Sequence, residues 1–217
     1  MERLSNIKEL YHGSWEIVRQ PQFGLGRTDN DYGQGFYCTE DIELAREWAC
    51  SEKSTAWCNQ YQLNCSELNV LDLSIDTFSP LEWLALLINN RNIYLDNALA
   101  RRGAEWLVSN HLIDISDYDI IIGYRADDSF FKIARAFINN SLPLEALDSS
   151  LRSGELGIQY TIKSLQAFNS LSFIKAEPVD HRKYHSKRLA RSQAANDKVF
   201  NNGELLDGTF LADLMRR

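Results

Sequence analysis

Two short stretches between residues 10 and 48 carry the most specific pattern in the chain. The first is Tyr11-His12-Gly13-Ser14, and the second is the glycine-rich turn Asp31-Tyr32-Gly33-Gln34-Gly35-Phe36-Tyr37-Cys38-Thr39. A His-Gly pair at the end of a strand puts an imidazole beside backbone that a flat ring can approach, because glycine has no Cβ. Tyr37 adds an aromatic face. Together the two stretches predict a pocket for a nucleotide.

An amphipathic helix follows the second stretch. Three acidic residues between positions 40 and 43 lie in its first turn, where the helix dipole favours negative charge. Leu44, Ala45, Trp48 and Ala49 share one face. Trp48 has two interpretations: a second aromatic face of the pocket, or a core tryptophan paired with Leu44.

In combination, these motifs resemble the diphtheria-toxin-like branch of ADP-ribosyltransferases, which also contains the poly(ADP-ribose) polymerases. The bacterial toxin-like members are the most similar: they carry a Tyr-His-Gly-Ser start, an Asp-aromatic-Gly-x-Gly-Phe-Tyr-x-Thr block and an Ala-x-x-Trp-Ala helix. The resemblance runs from residue 10 to about residue 176. It implies NAD as co-substrate, and the NAD-binding residues that it implies are His12, Gly13, Ser14, Gly35, Tyr37 and Trp48.

The resemblance also implies a role for each catalytic residue. His12 would bond the ribose, the backbone of Gly13 would bind the carboxamide, and Tyr37 with Trp48 would stack on the nicotinamide. The third catalytic position, usually a glutamate at the start of a late strand, is occupied by Gln159.

The glutamine at position 159 changes the expected chemistry. A neutral Gln159 can hold a ribose hydroxyl but stabilises positive charge less well than a carboxylate, so we expect mono-ADP-ribosylation rather than chain elongation. Gln159→Glu is then expected to retain or raise activity unless the pocket excludes the charge. Asp127 and Asp128 are alternative carboxylates for the site, although their position ahead of a helix also fits capping.

Composition limits the function classes. The 217 residues carry a net charge of −7, which argues against sequence-blind binding of nucleic acid through the whole surface. The four cysteines form no Cys-x-x-Cys pair and are expected to be reduced. No signal peptide and no apolar run of about 20 residues is present, so we expect a cytoplasmic protein without membrane contact. His181 and His185 lack a third ligand, and we expect no metal.

The predicted fold class is α+β. We expect an ADP-ribosyltransferase-like split β-sandwich core with inserted helices over residues 1–176, then a basic, helical or extended tail over 177–217. Strands are predicted at 7–13, 36–38, 56–63, 70–73, 118–124, 156–162 (from Leu156) and 171–176. Besides the helix described above, helices are predicted after the capping box of Ser79 and Glu82, and at 96–109 (from Asp96), 130–138 and 143–151. The glycine pairs at 24/26 and 33/35 lack the third glycine of a dinucleotide-binding loop; each glycine is either a turn glycine or a ligand contact.

Three functions are compatible with this pattern. The first is a mono-ADP-ribosyltransferase toxin of a toxin-antitoxin or phage-defence system, with a protein or RNA acceptor and a neutralising antitoxin as partner. The second is a catalytically weak NAD-binding module that works by protein interaction, and the third is an NAD glycohydrolase. The basic segment 182–191 is either a solvated face or a site for RNA or an acidic partner.

Overall fold

The computed structural model describes residues 6–50, 55–75, 77–95, 97–152, 157–200 and 207–216. Over these residues the chain is mixed α/β, with two sheets and eight helices. The strands are β1 (Ile7–Ser14), β2 (Phe36–Cys38), β3 (Trp57–Asn64), β4 (Val70–Asp72), β5 (Ile120–Tyr124), β6 (Ile158–Ile162) and β7 (Leu171–Pro178). The helices are α1 (Ile42–Ala49), α2 (Pro80–Asn90), α3 (Ala98–His111), α4 (Asp128–Ile138), α5 (Leu144–Arg152), α6 (Leu165–Asn169), α7 (His181–Phe200) and α8 (Leu211–Leu214).

The two sheets meet at the stretches that the sequence singles out. One sheet has the order β1-β3-β7 and is antiparallel; the other has the order β2-β6-β5-β4, in which β4 runs parallel to β5. A single bridge joins them: the amide of Tyr11 donates to the carbonyl of Thr39 at 2.7 Å, and the amide of Thr39 donates back at 2.9 Å. This bridge brings His12 beside the backbone of β2.

The sheets face each other across a shared apolar cluster. Leu10 and Leu63 enter it from the three-stranded sheet, and Ile120, Ile122 and Ile162 enter it from the four-stranded sheet. On the other face of β5, Ile121 belongs to a second and larger core formed with helices α2 to α5. The Ile-Ile-Ile run is therefore buried on both faces, which explains why it lacks the alternation of a half-exposed strand.

Local capping signals start α1 and α2; in α1 only Glu43, and not all three predicted acidic residues, lies in the first turn. The amide of Ser79 donates to the carboxylate of Glu82 at 2.7 Å, and the Ser79 hydroxyl accepts from the amide of Leu81 at 3.2 Å, which completes the predicted capping box. Asp41 caps α1 by accepting from the amide of Glu43 at 2.8 Å.

Most predicted strands and helices are confirmed within a few residues. Two predicted starting points, Leu156 and Asp96, lie outside the described residues. The short helices α6 and α8 were not predicted, and β7 continues to Pro178, two residues beyond its predicted end.

Helix α7 packs on α1 through charge pairs. The hydroxyl of Tyr184, a buried residue, donates to Glu43 at 2.9 Å, and Lys187 lies 2.7 Å from the same carboxylate. Arg191 pairs with Glu47 at 2.9 Å. Part of the predicted basic segment therefore forms ion pairs with α1. The division into two units at residue 176 stays a prediction.

Candidate functional site

A cavity of about 700 Å³ lies where β1, β2 and β6 converge. Its volume is in the range of about 300–1,000 Å³ that is usual for small-molecule sites. One side, called here the strand wall, consists of His12, Gly13, Gly35, Phe36, Tyr37, Trp48 and Gln159. A second part of the lining, called the loop wall, comes from the connection between β1 and β2 ahead of Gly35: 16–22, 25–27, Asn30 and Asp31. Arg91, Arg125, Ala126 and Phe168 complete the lining.

His12 is held so that one ring nitrogen remains an acceptor. Its Nδ1 lies 2.7 Å from the carbonyl oxygen of Tyr37, which can only accept, so Nδ1 carries the hydrogen. Burial lowers the pKa of the His12 ring and keeps it neutral. The ring of Phe36 supports the imidazole at 4.3 Å between centroids. Nε2 of the neutral ring can therefore accept a hydrogen bond from a hydroxyl.

Tyr37 contributes its ring to the cavity and its hydroxyl to the turn before β2. The hydroxyl donates to the carbonyl of Gly33 at 2.6 Å and accepts from the amide of Tyr32 at 3.1 Å. Burial raises the pKa of this phenol, so it stays protonated. The stacking role expected from the sequence thus involves the ring, while the hydroxyl shapes the turn.

Gly13 is required by helix packing as well as lining the cavity. A Cβ at this position would collide with the carbonyl oxygen of Ala45 and lie 2.6 Å from the amide nitrogen of Ala49. Both alanines are buried. The Ala-x-x-Trp-Ala pattern therefore has a steric cause. Its two small side chains let the backbone of β1 contact α1, and Trp48 between them reaches the cavity.

Trp48 lines the cavity, and one face of its ring is in contact with Arg125. The guanidinium carbon of Arg125 lies 5.4 Å from the ring centroid, within the range of a cation–π interaction. The indole Nε1 is buried and has no hydrogen-bond partner among the residues that the structure describes. A stacked ligand therefore has at most the other face of Trp48.

Gln159 is buried beside a carboxylate that the sequence analysis did not single out. Its Nε2 donates to Oδ2 of Asp31 at 2.8 Å and to the carbonyl of Tyr124 at 3.3 Å. The same Oδ2 accepts from the amide of Ala126 at 2.9 Å, and Oδ1 lies 3.2 Å from Nε of Arg91. Burial raises the pKa of the Asp31 carboxyl, and the Arg91 guanidinium opposes that shift. Asp31 had only one signal in the sequence, its place at the head of the glycine-rich turn.

Of the two alternative carboxylates, Asp127 is described, and it does not line the cavity. Oδ1 of Asp127 accepts from the amide of Phe130 at 3.1 Å, so this residue caps α4, as the capping interpretation predicted. Asp127 also faces Arg125 at 3.7 Å. Asp128 begins α4, and its side chain lies outside the described part of the chain.

Ser14 does not line the cavity. Its hydroxyl donates to the carbonyl of Glu16 at 2.6 Å and accepts from Nδ2 of Asn59 at 3.0 Å. Asn59 is fully buried on β3; it also donates to the carbonyl of His12 at 3.2 Å and accepts from the amide of Val18 at 3.0 Å. This asparagine, which the sequence analysis missed, ties the loop wall to β1.

Comparison with known proteins gives a family without an assigned activity. The family model described as "Protein of unknown function (DUF3990)" matches residues 8–173, more than half of the chain. The chain belongs to the DUF3990 family. No curated protein and no solved structure matches it. The matched span contains the complete strand wall and loop wall.

The cavity of this DUF3990 chain is richer in cations than the molecule as a whole. Among the residues that the structure describes, four arginines line it, Arg19, Arg27, Arg91 and Arg125, against the two carboxylates of Glu16 and Asp31, whereas the whole chain carries −7. Arg27 pairs with Asp29 at the surface at 2.7 Å. The balance favours a ligand that carries negative charge.

Two further findings concern metals and membranes. Within the described ranges, no group of three or more His, Cys, Asp or Glu side chains could hold a metal ion. No helix among those residues is long and apolar enough to cross a bilayer.

Proposed function

We propose that this DUF3990 chain is an NAD-dependent mono-ADP-ribosyltransferase with an ADP-ribosyltransferase-like split β-sandwich fold. One observation carries the proposal: six of the seven residues implied by the resemblance line a single cavity, although they come from three strands, one helix and the turn before β2. These six are His12, Gly13, Gly35, Tyr37, Trp48 and Gln159. The two facing sheets support the fold assignment.

The chemistry requires little covalent work from the protein. The bond between ribose and the nicotinamide nitrogen breaks through an oxocarbenium-like state, and nicotinamide leaves as a neutral molecule with the electron pair. A nucleophile of the acceptor then bonds to the anomeric carbon and releases its proton to solvent. The protein must orient NAD, stabilise developing positive charge and exclude water.

The site residues divide these tasks. Nε2 of His12 accepts a ribose hydroxyl, because Nδ1 is already committed to the carbonyl of Tyr37. The Tyr37 ring stacks on the cationic nicotinamide, an interaction worth about 1–2 kcal/mol in a desolvated pocket. The cavity arginines offset the charge of the diphosphate. The acceptor, protein or RNA, and an antitoxin that neutralises the protein are further parts of this proposal.

The decisive experiment is incubation of the purified chain with labelled NAD and cell lysate in the presence of a chelator. Transfer of label to a macromolecule supports the proposal. Release of free ADP-ribose alone would make the chain an NAD glycohydrolase, and binding without turnover would make it an NAD-binding interaction module. Calorimetry that detects no binding of NAD would overturn all three.

A matched pair of histidine variants tests the site itself. His12→Ala should lower transfer about tenfold to a hundredfold, because a hydrogen bond to the reacting ribose is lost. His111→Ala is the control, since His111 packs against Trp106 on α3 and does not line the cavity. Equal rates for the two variants would remove His12 from the site.

A further inference from the structure

The hydrogen bonds around Gln159 determine which way its amide points. Both neighbours of its nitrogen, the Asp31 carboxylate at 2.8 Å and the Tyr124 carbonyl at 3.3 Å, are acceptors. The –NH₂ group must therefore face them, and the reverse orientation would set oxygen against oxygen. Among the described residues, none donates to Oε1 of Gln159, and this residue lines the cavity. The free acceptor of the amide is thus available to a ligand.

Asp31 is itself fixed from three directions. Besides Gln159, the backbone amide of Ala126 donates to it at 2.9 Å and Nε of Arg91 lies 3.2 Å away. Asp31 and Gln159 are 5% and 3% exposed, so neither side chain is free to change rotamer without leaving buried polar groups unpaired. The amides of Ala126 and Gln159 donate to one carboxylate oxygen, and Arg91 faces the other as an ion pair.

We propose that Asp31 is a positioning residue for ADP-ribosyl transfer, which holds Gln159 so that its amide oxygen accepts a ribose hydroxyl of NAD. The inference rests on the proposed function and gives a role to Asp31, a residue of the motif to which the resemblance assigns none. Asp31 lies on the loop wall and Gln159 on the strand wall, 128 residues apart in the chain. Residue 159 therefore acts as one half of a carboxylate–amide pair.

This pairing reverses the expectation for Gln159→Glu. A carboxylate at position 159 would stand about 2.8 Å from Oδ2 of Asp31. Two carboxylates that close do not both stay ionised, and one must take up a proton. Activity of Gln159→Glu should therefore fall, and combining it with Asp31→Asn should restore part of it.

A double-mutant cycle tests whether Asp31 acts through Gln159. Asp31→Asn and Gln159→Ala should each lower kcat about tenfold to a hundredfold, with a change in NAD affinity of less than about threefold. The variant carrying both changes should be no slower than Gln159→Ala alone, because the positioning of an absent amide has no effect. Asp114→Asn is the control: Asp114 is exposed, accepts a hydrogen bond from the amide of Ser116 and does not line the cavity.

The outcomes separate this inference from the proposed function. The inference would be wrong if the losses of the two single variants multiply in the double variant, or if Asp31→Asn transfers ADP-ribose at the wild-type rate. The proposed function would still stand, provided that the wild-type chain transfers ADP-ribose. A wild-type chain that neither binds nor cleaves NAD would overturn both. If Asp31→Asn does not fold, NMR of the wild-type chain tests the pairing instead. The side-chain –NH₂ signal of Gln159 is assigned by its absence in Gln159→Ala. Its hydrogens should exchange slowly with solvent. Exchange as fast as that of an exposed glutamine would contradict the pairing.

Discussion

The two walls of the cavity are built by different physical means. The strand wall is held by ladder hydrogen bonds: β1 is paired with β3 along its whole length, and β2 and β6 are paired with each other. The loop wall has no ladder and depends on side chains that bond its backbone, chiefly Asn59 and the hydroxyl of Tyr61, which donates to the carbonyl of Val18. The strand wall therefore has its shape from sheet register, whereas the shape of the loop wall depends on a few long-range contacts.

The difference predicts how each wall responds to substitution. A change in the strand wall meets backbone atoms that cannot move without breaking a ladder or a helix. A change in the loop wall removes one anchor and leaves the sheets intact. Three sets of variants test this contrast, from the largest expected effect to the smallest.

The largest effect is expected from a matched pair of glycines. Gly13→Ala should lower the free energy of unfolding by about 3 kcal/mol, because the new methyl group meets the backbone of α1 at Ala45 and Ala49. Gly24→Ala, in the loop between β1 and β2, meets no atom within 4 Å, and its positive φ of 84° should cost about 1 kcal/mol. Denaturant titration measures both. Equal losses would contradict the contrast between the walls.

An intermediate effect is expected when the anchor of the loop wall is removed. Asn59→Ala leaves the amide of Val18 without its acceptor and the carbonyl of His12 without its side-chain donor, which should destabilise the chain by about 2 kcal/mol. NAD affinity should fall as well, because the loop wall shifts when its anchor is removed. Asn110→Ala is the control, since Asn110 is an exposed residue of α3 that bonds only the carbonyl of Trp106. Unchanged NAD affinity in Asn59→Ala would show that the loop wall does not bind ligand.

The smallest effect is expected at the contact between the walls. Tyr37→Phe keeps the ring in the strand wall and removes the two hydrogen bonds to Gly33 and Tyr32. Unfolding should become easier by about 1 kcal/mol, and NAD affinity should change little. Tyr37→Ala is the comparison variant and should also lose the stacking face. Titration calorimetry distinguishes the two, and equal loss of affinity would mean that the hydroxyl, through the turn that it holds, matters more than the ring.

The site was predictable where it lies on strands. The resemblance implied His12, Tyr37 and Gln159, and strand pairing brings all three to one cavity. Asp31 and Asn59 were missed because each is a single polar residue without a repeating pattern, and each takes its role from partners far away in the chain. Ser14 was assigned to the ligand from its place in a motif, but its hydroxyl is engaged by Glu16 and Asn59.

By itself, the sequence determined the position of most strands and helices and the capping box at Ser79. Hydrophobic period and capping chemistry are local, so a short window contains all the information they need. Tertiary structure alone decided that Asp31 faces Gln159, that Gly13 is needed by α1 and that Lys187 pairs with Glu43. A buried polar group bonds whichever partner the fold brings within about 3 Å, and no local pattern encodes that choice.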